Sequence, residues 1–450
     1  MKNKKLRILC LLLSAVMLLS LCACGFAGVN RGDTEAEEAE NEKTADMGLE
    51  ASAPTEKPTP TPEPTPTPIP NLTFPDGSIH RADEEALDLS ALRHTDADAV
   101  ADLLRQMPEL KKIDVGSDGA WTGNPPALTY ETAMVERPAE ANRDLTWADL
   151  RMLQEAVPQA ELLYRFCFYG REFTTLDEAM DLNHSTMTDE GAAVREILPL
   201  MRNCRYLDMD SCGVSSEKMA EIRDAYPDMD VVWRIWFAMN TFTCRTDIEL
   251  FVNSKFAGYM TDDQTQDLKY LTKVRYLDMG HNRSLNDWSF LSYMPNLEVC
   301  IITDSGWDNL EMLKNLEHLE FLEACPIGHT YLDLSPLAGL TSLEHLNICG
   351  IGESDGWEAL LNLTNLKRLW LGIFTAASFP EGAVEKLQEA LPDTEINITE
   401  PSAAVGSWRD DQGNGVPERY TLLREQMQYD NYWNILPTAE NDPKYNPPWN

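Results

Sequence analysis

The cysteines have the widest chemical repertoire of any residue type in this 450-residue chain, and their spacing restricts what they can do. None of the ten lies in a CxxC pair, the spacing typical of zinc sites and redox-active disulfides. Seven follow residue 24, an odd number that cannot all pair: Cys167, Cys204, Cys212, Cys244, Cys300, Cys325 and Cys349. This placement predicts buried free thiols.

Other motifs that carry chemistry are missing from the sequence. There is no GxSxG elbow, HExxH zinc motif, phosphate-binding loop or GxGxxG motif. The acidic run at 262–267 lacks the glycine and the final glutamate of a calcium loop, so it predicts a solvated turn. Carboxylates are abundant, but no pair stands out by spacing as a glycosidase pair. We therefore expect no catalytic residue, no metal site and no cofactor.

One cysteine is set apart by its surroundings at the N-terminus. Four basic residues within the first seven precede an apolar run over 8–21, which has the length of a signal-peptide core and is too short to span a bilayer. The run ends in Leu21-Cys22-Ala23-Cys24, which resembles the bacterial lipobox. The resemblance implies cleavage before Cys24 and a lipid on its thiol. Ordinary secretion with cleavage nearby, or an uncleaved anchor, is the alternative.

The segment that follows is predicted to be a tether. With 1–23 as the signal peptide, 24–75 contains an acidic stretch and a Thr-Pro repeat over 54–70, which favours extended polyproline. At ~3.1 Å per residue, that repeat reaches roughly 50 Å. The tether could lift a folded domain away from the outer face of the bacterial cell membrane, an extracytoplasmic location.

The net charge limits the possible partners. Loss of 1–23 removes four positive charges and no acidic residue, which lowers the net charge from −37 to −41. Nucleic acids and anionic lipids are bound by faces rich in Lys and Arg. We therefore exclude nucleic acid as a partner and expect contact with the membrane through the lipid anchor alone.

A six-residue pattern, LxxLxL, recurs in the remainder of the chain. Its copies begin at residues 110, 204, 274, 297, 316, 343 and 366, so the last five start 23, 19, 27 and 23 residues apart. Cys204 takes position 1 and Cys300 takes position 4, both of which should point inward, so neither should form a disulfide. Cys212 and Asn282 take position 9, where the repeat turns.

These repeats resemble those of leucine-rich-repeat lipoproteins of the bacterial cell surface, most closely over 265–375. The resemblance implies an α/β fold: a leucine-rich-repeat solenoid with a concave parallel sheet, longer irregular N-terminal coils and a C-terminal cap. We place the leucine-rich repeats at 266–400 and a divergent N-terminal repeat region at 76–265. A separate α/β domain before the repeats is the alternative.

A longer repeat supports the N-terminal assignment. The stretch from Pro158 matches the stretch from Pro227, 69 residues later, and the segment before Pro158 recurs before Pro392. Each copy predicts a helix that ends before the proline, followed by a strand that begins with an acidic residue.

The outward positions of the strands define the expected binding surface. Positions 3 and 5 should point out of the concave sheet, because side chains alternate along a strand. This concave strip comprises Tyr206, Asp208, Tyr276, Asp278, Ile301, His318, Glu320, His345, Asn347, Arg368 and Trp370. Exposed aromatic side chains among acidic ones are typical of protein interfaces.

Two histidines in this strip raise the question of a metal. His318 and His345 both occupy position 3 of consecutive repeats in this register, so they should be neighbours, with Glu320 and Asn347 beside them. Two imidazoles and a carboxylate at that spacing could bind zinc. We favour an ordinary polar ladder over a metal site.

The C-terminal segment, 401–450, interrupts the repeat pattern and is rich in aromatic residues. The last coil of a solenoid exposes its core and needs a cover. We therefore predict an aromatic cap or tail, with a platform for sugar or peptidoglycan as the alternative.

Together these features predict a surface-anchored protein that is not an enzyme and binds a protein or a glycan through its concave sheet. An envelope spacer without a discrete ligand is one alternative. A glycan-acting hydrolase is another, which could use Asp410, Asp411 and Glu418 near the C-terminus.

Overall fold

The computed structural model describes residues 68–119, 145–237, 242–252, 260–328, 331–399 and 408. The predicted signal peptide, Cys24, nearly all of the predicted tether and the C-terminal segment apart from Trp408 lie outside these residues. Within the part of the chain that is described, no helix is long and apolar enough to cross a membrane.

Short strands in the first part of the chain form several small sheets. Two are antiparallel pairs: β1 (Asn71–Thr73) with β2 (Ile79–Arg81), and β10 (Arg234–Phe237) with β11 (Phe242–Arg245). A sheet of four contains β3 (Ala86–Asp88), β4 (Lys112–Ser117), β5 (Glu161–Phe168) and β6 (Arg171–Thr174), and its strands are parallel except that β5 and β6 are antiparallel. A parallel sheet of three contains β7 (Ala179–Asp181), β8 (Tyr206–Asp208) and β9 (Asp230–Val232). The helices of this part are α1 (Ala97–Leu104), α2 (Trp147–Ala156), α3 (Ala192–Ile197) and α4 (Ser216–Ala225). A 3-10 turn precedes α1 at His94–Asp96, and another follows α3 at Leu198–Leu200.

The remaining strands belong mostly to one parallel sheet of seven. In spatial order they are β12 (Leu250–Val252), β13 (Tyr276–Asp278), β14 (Val299–Ile301), β15 (Phe321–Glu323), β17 (His345–Asn347), β19 (Arg368–Trp370) and β20 (Glu395–Asn397). A separate parallel pair contains β16 (Tyr331–Asp333) and β18 (Glu353–Asp355), and two helices, α5 (Gly372–Ser378) and α6 (Ala383–Ala390), follow β19.

The predicted succession of helix, proline and strand is confirmed at all three places. Helix α2 ends at Ala156 and β5 begins at Glu161; α4 ends at Ala225 and β9 begins at Asp230; α6 ends at Ala390 and β20 begins at Glu395. The proline of each copy falls in the turn between helix and strand, because proline lacks the N–H group that a helix interior needs. Helix α2 also begins with a capping box, in which Thr146 and Asp149 bond to each other's backbone N–H groups.

The main sheet follows the repeat pattern residue by residue. The middle residue of each strand is position 4, and this row is buried from Phe251 through Leu277, Cys300, Leu322 and Leu346 to Leu369. Parallel pairing also links the backbones of successive repeats at position 2, where the N–H of one repeat donates to the carbonyl oxygen of the repeat before it. In this way the N–H of Arg275 donates to the carbonyl of Glu249, and the N–H of Glu298 donates to the carbonyl of Arg275.

The register that the sequence predicted for the repeat at 316 is wrong by three residues. The motif at 316 places Leu319 at position 4, but Cys300 pairs with Leu322, and the N–H of Glu320 donates to the position-2 carbonyl of Glu298. This repeat therefore starts at Leu319. The position-4 residues are then separated by 23, 22, 24 and 23 residues from Leu277 to Leu369.

The return segments between strands are short 3-10 helices whose apolar side chains fill the core, as the upstream leucines predict. They lie at Gln266–Tyr270, Ser289–Tyr293, Glu311–Leu313, Ser335–Gly339 and Trp357–Asn362. A further 3-10 turn at Asp262–Gln264 occupies the acidic run. Asn282, at position 9, is fully buried: its amide donates to the carbonyl of Met279 and accepts from the N–H of Met260.

The cysteine predictions are confirmed with one exception. The seven that follow Cys24 are all free, and six of them are buried; the prediction of burial is wrong for Cys167 alone, which is half-buried. Burial raises the pKa of the Cys300 thiol, which therefore stays protonated at neutral pH. The Cys212 thiol lies 3.0 Å from the carbonyl oxygen of Leu182 and donates to it, so position 9 binds the loop backbone here as well.

The described residues form an α/β leucine-rich-repeat arrangement. Three-residue strands pair mostly in parallel and alternate with helices or 3-10 turns, and the regularly spaced inward apolar side chains form one continuous core.

Substitution of Leu322 tests the corrected register. Leu322 is fully buried at position 4, whereas the register that starts at 316 puts it at position 7, pointing out of the sheet. We expect Leu322→Ala to lower the free energy of unfolding by about 2–5 kcal/mol, measured by urea denaturation. His318→Ala, at an exposed side chain, should change it by less than about 0.5 kcal/mol. Equal, small effects of the two substitutions would contradict the register.

Candidate ligand-binding face

The seven-stranded sheet has one face that carries the side chains of positions 3 and 5, here called the ladder face. Most residues of the predicted concave strip lie on it. It brings together Tyr276 and Asp278 on β13, Ile301 on β14, His345 and Asn347 on β17, and Arg368 and Trp370 on β19. Strand alternation therefore placed these seven residues correctly.

His318 and Glu320 are not part of the ladder face. Because the repeat starts at Leu319, positions 3 and 5 of β15 are Phe321 and Glu323. His345 has Phe321 and Arg368 as its strand neighbours, so the proposed pair of adjacent histidines does not form. Across the described residues, no group of three or more His, Cys, Asp or Glu side chains could hold a metal ion.

His318 and Glu320 instead line a polar groove of about 600 Å³ beside the starts of the strands. The groove contains the position-2 side chains Arg275, Glu298 and Glu320, and Arg275 forms ion pairs with both Glu298 and Glu249. Acidic side chains outnumber basic ones along it. Most of the groove is a row of exposed charge pairs, and such pairs each contribute little to stability or binding.

Tyr206 and Asp208 lie on β8, in a different sheet from the ladder face. The Arg245 guanidinium of β11 donates to the Tyr206 hydroxyl and to the Asp208 carboxylate, at 2.8 and 2.9 Å. Burial raises the pKa of Asp208, and the positive charge of Arg245 opposes that shift. These two predicted strip residues are therefore engaged by the chain's own β10–β11 pair.

Sequence reasoning missed the buried ion pair next to them. Arg234 donates two hydrogen bonds to Asp210, at 2.8 and 2.7 Å, and both side chains are nearly inaccessible. Burial alone would raise the pKa of Asp210, but the hydrogen bonds and charge of Arg234 outweigh it, so the pKa of Asp210 is lowered. The sequence did hold a signal for this pair, because the longer repeat places Arg165 and Arg234 at equivalent positions. Arg165 likewise forms two hydrogen bonds to an aspartate, Asp114.

The expectation that the aromatic side chains of the concave strip are exposed is wrong, because the ladder face is covered rather than open. Tyr276 is 9% exposed, His345 3% and Trp370 0%. The apolar side chains of this face form a second hydrophobic cluster, separate from the main core, and Trp408 belongs to it.

Trp408 lies against the centre of this cluster. Its ring centroid is 5.4 Å from that of Phe321, 5.8 Å from that of Trp370 and 6.4 Å from that of His345. The Arg368 guanidinium lies 5.3 Å from the same ring, over its face. These distances are those of favourable aromatic and cation–π contacts.

Two polar contacts fix Trp408 at both its side chain and its backbone. The indole Nε1–H donates to the Glu323 carboxylate at 2.9 Å, and the Trp408 carbonyl accepts from Nη1 of Arg368 at 2.9 Å. Arg368 also donates through Nε to Glu395 at 3.0 Å. Hydrogen bonds with a charged partner are stronger than those between neutral groups, so these two bonds add to the ring contacts that hold Trp408.

Two buried donors on the ladder face have no acceptor among the described residues. They are the side-chain amide of Asn347 and the indole N–H of Trp370. The carbonyl oxygen of the Asn347 side chain does accept, from the Cys349 N–H at 3.1 Å and from the Cys325 thiol at 3.3 Å. Buried donors without an acceptor cost free energy, so this face retains hydrogen-bonding capacity.

The hydrolase alternative depends on Asp410, Asp411 and Glu418, which lie outside the described residues. The same holds for the aromatic tail other than Trp408 and for Cys24, the predicted site of lipidation.

Comparisons with known proteins give no family model that matches the chain and no matching curated protein. Solved structures that match include two internalins from Listeria monocytogenes. Internalin C2 is 17% identical, with 33% of this chain and 72% of that chain covered and a TM-score of 0.23. A second internalin, inlF, is 16% identical, with 67% and 80% covered and a TM-score of 0.27. A leucine-rich-repeat protein from Leptospira interrogans is 13% identical, with 65% and 91% covered and a TM-score of 0.29. Assignment of the repeat arrangement rests on the strand register described above.

The pair of Arg234 and Asp210 predicts a pH-dependent contribution to stability. Since the pKa of Asp210 is lower in the folded state, the pair stabilises the protein above the usual aspartate pKa of about 3.9 and loses that effect as the pH falls below it. We expect Asp210→Asn to lower the free energy of unfolding by about 3–5 kcal/mol at pH 7, because it breaks a buried ion pair. The deficit should shrink towards pH 3 in urea denaturation series.

Asp224→Asn is the control, because Asp224 forms an exposed pair with Arg223. It should change the free energy of unfolding by less than about 1 kcal/mol. A loss from Asp210→Asn that is constant from pH 7 to pH 3 would contradict the assigned direction of the pKa shift.

Proposed function

We propose that this protein is a leucine-rich-repeat solenoid, held at the outer face of the bacterial cell membrane by a lipid on Cys24, that binds a protein ligand on its ladder face. Membrane contact is through the anchor alone, and nucleic acid is not a partner. The net charge of −37 supports the second point, because nucleic acid is bound by basic surfaces.

The composition of the ladder face carries this proposal. It buries a carboxylate, Glu323, and a guanidinium, Arg368, among the rings of Phe321, His345 and Trp370. Burying charged groups is costly unless they find partners, and aliphatic side chains would cover a purely structural face at lower cost. Arginine and aromatic side chains in a desolvated pocket are instead the composition of binding hot spots.

The contacts made by this face favour a protein ligand over a glycan. Glu323 accepts from an indole N–H group, and Arg368 donates to a backbone carbonyl oxygen. Both bound groups belong to a polypeptide, and both bonds are short and charge-assisted.

We further propose that the protein is not an enzyme. A hydrolytic pair needs two carboxylates that are free to exchange protons with a substrate. The two glutamates of this face, Glu323 and Glu395, are instead hydrogen-bonded by Trp408 and Arg368.

Reversing one charge on the ladder face should abolish ligand binding. Arg368 is buried on that face, whereas Lys367, its neighbour in sequence, is exposed beside the starts of the strands and paired with Glu344. We expect Arg368→Glu to remove the cross-linked partner proteins recovered from intact cells that carry the tagged chain. Lys367→Glu should leave them unchanged. Quantitative mass spectrometry of the cross-linked products measures both.

Three outcomes distinguish the alternatives. Loss of partners with Arg368→Glu alone supports the proposal. Loss with Lys367→Glu alone would move the site to the polar groove and contradict it. If the wild-type chain cross-links no protein, an envelope spacer becomes the better explanation. Should Arg368→Glu fail to fold by circular dichroism, Tyr276→Ala on the same face replaces it.

The anchor can be tested separately. We expect Cys24→Ala to abolish incorporation of radiolabelled palmitate into the chain, because the thiol is the site of acylation. The substitution should also remove the lipid-modified form of the chain from the membrane fraction. Cys22→Ala is the matched control, since it changes a cysteine two residues away and keeps Leu21, Ala23 and Cys24. Labelling that survives in Cys24→Ala would place the anchor elsewhere.

A further inference from the structure

Trp408 makes contacts on the ladder face that resemble those of a bound ligand. An ordinary core residue packs through its side chain, but Trp408 is held both by its ring and by its backbone carbonyl, and it is 2% exposed. In sequence it follows the last strand of the sheet, β20, which ends at Asn397. Its contacts with strands β15, β17 and β19 are all made by side chains of the ladder face.

We propose that the ladder face is a binding site for a tryptophan presented by a partner protein, and that Trp408 fills this site as an intramolecular substitute until the partner displaces it. The inference rests on the proposed function, because it takes the ladder face to be the ligand-binding surface. It adds the chemistry of the ligand and the way in which access is controlled.

The site selects tryptophan through its combination of shape and charge. Phe321 and Trp370 provide ring contacts on a large aromatic side chain, and the Arg368 guanidinium lies over the same ring. Glu323 supplies a buried carboxylate at 2.9 Å from the indole N–H. Phenylalanine has no such donor and would leave the carboxylate without that bond, which is costly in a buried site.

Trp408 does not use all the hydrogen-bonding capacity of the face. The Asn347 amide and the Trp370 indole N–H find no acceptor within the described part of the chain. An extended segment of a partner carries additional backbone carbonyl oxygens, which could accept from these donors. A partner can therefore gain bonds that the described contacts of Trp408 lack, which is how it can compete with a tethered group.

Tethering sets the threshold for that competition. Trp408 belongs to the same chain as the face that it occupies, so it competes at an effective concentration rather than at the bulk concentration of the protein. A free ligand must overcome this concentration, so its apparent affinity for the wild-type chain is reduced. Removing the Trp408 side chain removes the competitor and exposes the full affinity of the site.

A labelled peptide tests this directly. The probe is a fluorescein-labelled peptide with the sequence of residues 403–413, which contains Trp408, and binding is measured by fluorescence anisotropy. The proteins are the mature chain with Cys24→Ser, and the same chain with Trp408→Ala. Trp236→Ala is the matched control, because Trp236 is a tryptophan with 45% exposure outside the ladder face.

We expect Trp408→Ala to bind the peptide at least about tenfold more tightly than the wild-type chain or Trp236→Ala, because the tethered competitor is absent. A peptide with alanine in place of tryptophan should not bind. A peptide with phenylalanine should bind about tenfold more weakly, because it lacks the donor to Glu323. Trp408→Leu, which retains apolar bulk, replaces Trp408→Ala if the latter does not fold.

Three results would overturn the inference. Folded Trp408→Ala that does not bind the peptide would show that the face is no tryptophan site, while the cross-linking result for Arg368→Glu would still decide the proposed function. Equal binding to wild type and Trp408→Ala would show that Trp408 is no competitor. A wild-type chain that is dimeric by light scattering, with a monomeric Trp408→Ala, would make a second copy the occupant and also reject the partner proposed here.

Discussion

The parallel pairing of three-residue strands is the constraint on which the rest of the structure depends. Each repeat contributes a strand whose middle side chain enters the core, and side chains alternate along a strand. Once Leu277, Cys300 and Leu322 point inward, their flanking residues must project from the opposite face. The fold and the ladder face are therefore consequences of one register, and a shift within one repeat would exchange buried and outward side chains.

The sequence predicted this arrangement wherever the leucine pattern was unambiguous. Repeats at 274, 297, 343 and 366 were placed correctly, and with them Tyr276, His345 and Trp370. The repeat at 316 was misplaced because Leu316, Leu319 and Leu322 are three residues apart, so two registers satisfy the pattern. The uneven spacing of 19 and 27 residues was a sign of the error.

The contact that covers the ladder face could not have been predicted in the same way. Trp408 meets Glu323 across 85 positions of sequence, and no periodic pattern relates a tryptophan of the C-terminal segment to a distant strand. The buried charges were equally hidden, because Arg368 and Glu323 look like solvent-facing residues when only strand alternation is considered. Periodicity indicates which way a side chain points from its own strand, but not what lies on the other side of it.

The described sheets differ in which residues contact the outward side chains of their strands. On β4 and β8, arginines from strands of adjoining hairpins reach the outward carboxylates: Arg165 binds Asp114, and Arg245 binds Asp208. Those arginines are fixed by antiparallel pairing of their own strands, β5 with β6 and β10 with β11. Trp408 is held on the seven-stranded sheet by side-chain contacts and by one bond to its carbonyl group. Releasing Trp408 disrupts none of the strand pairs described, whereas removing either hairpin arginine from its carboxylate means moving a hydrogen-bonded strand. Among these three contacts, the one made by Trp408 is thus the one that depends on no hydrogen-bonded strand pair within the described residues.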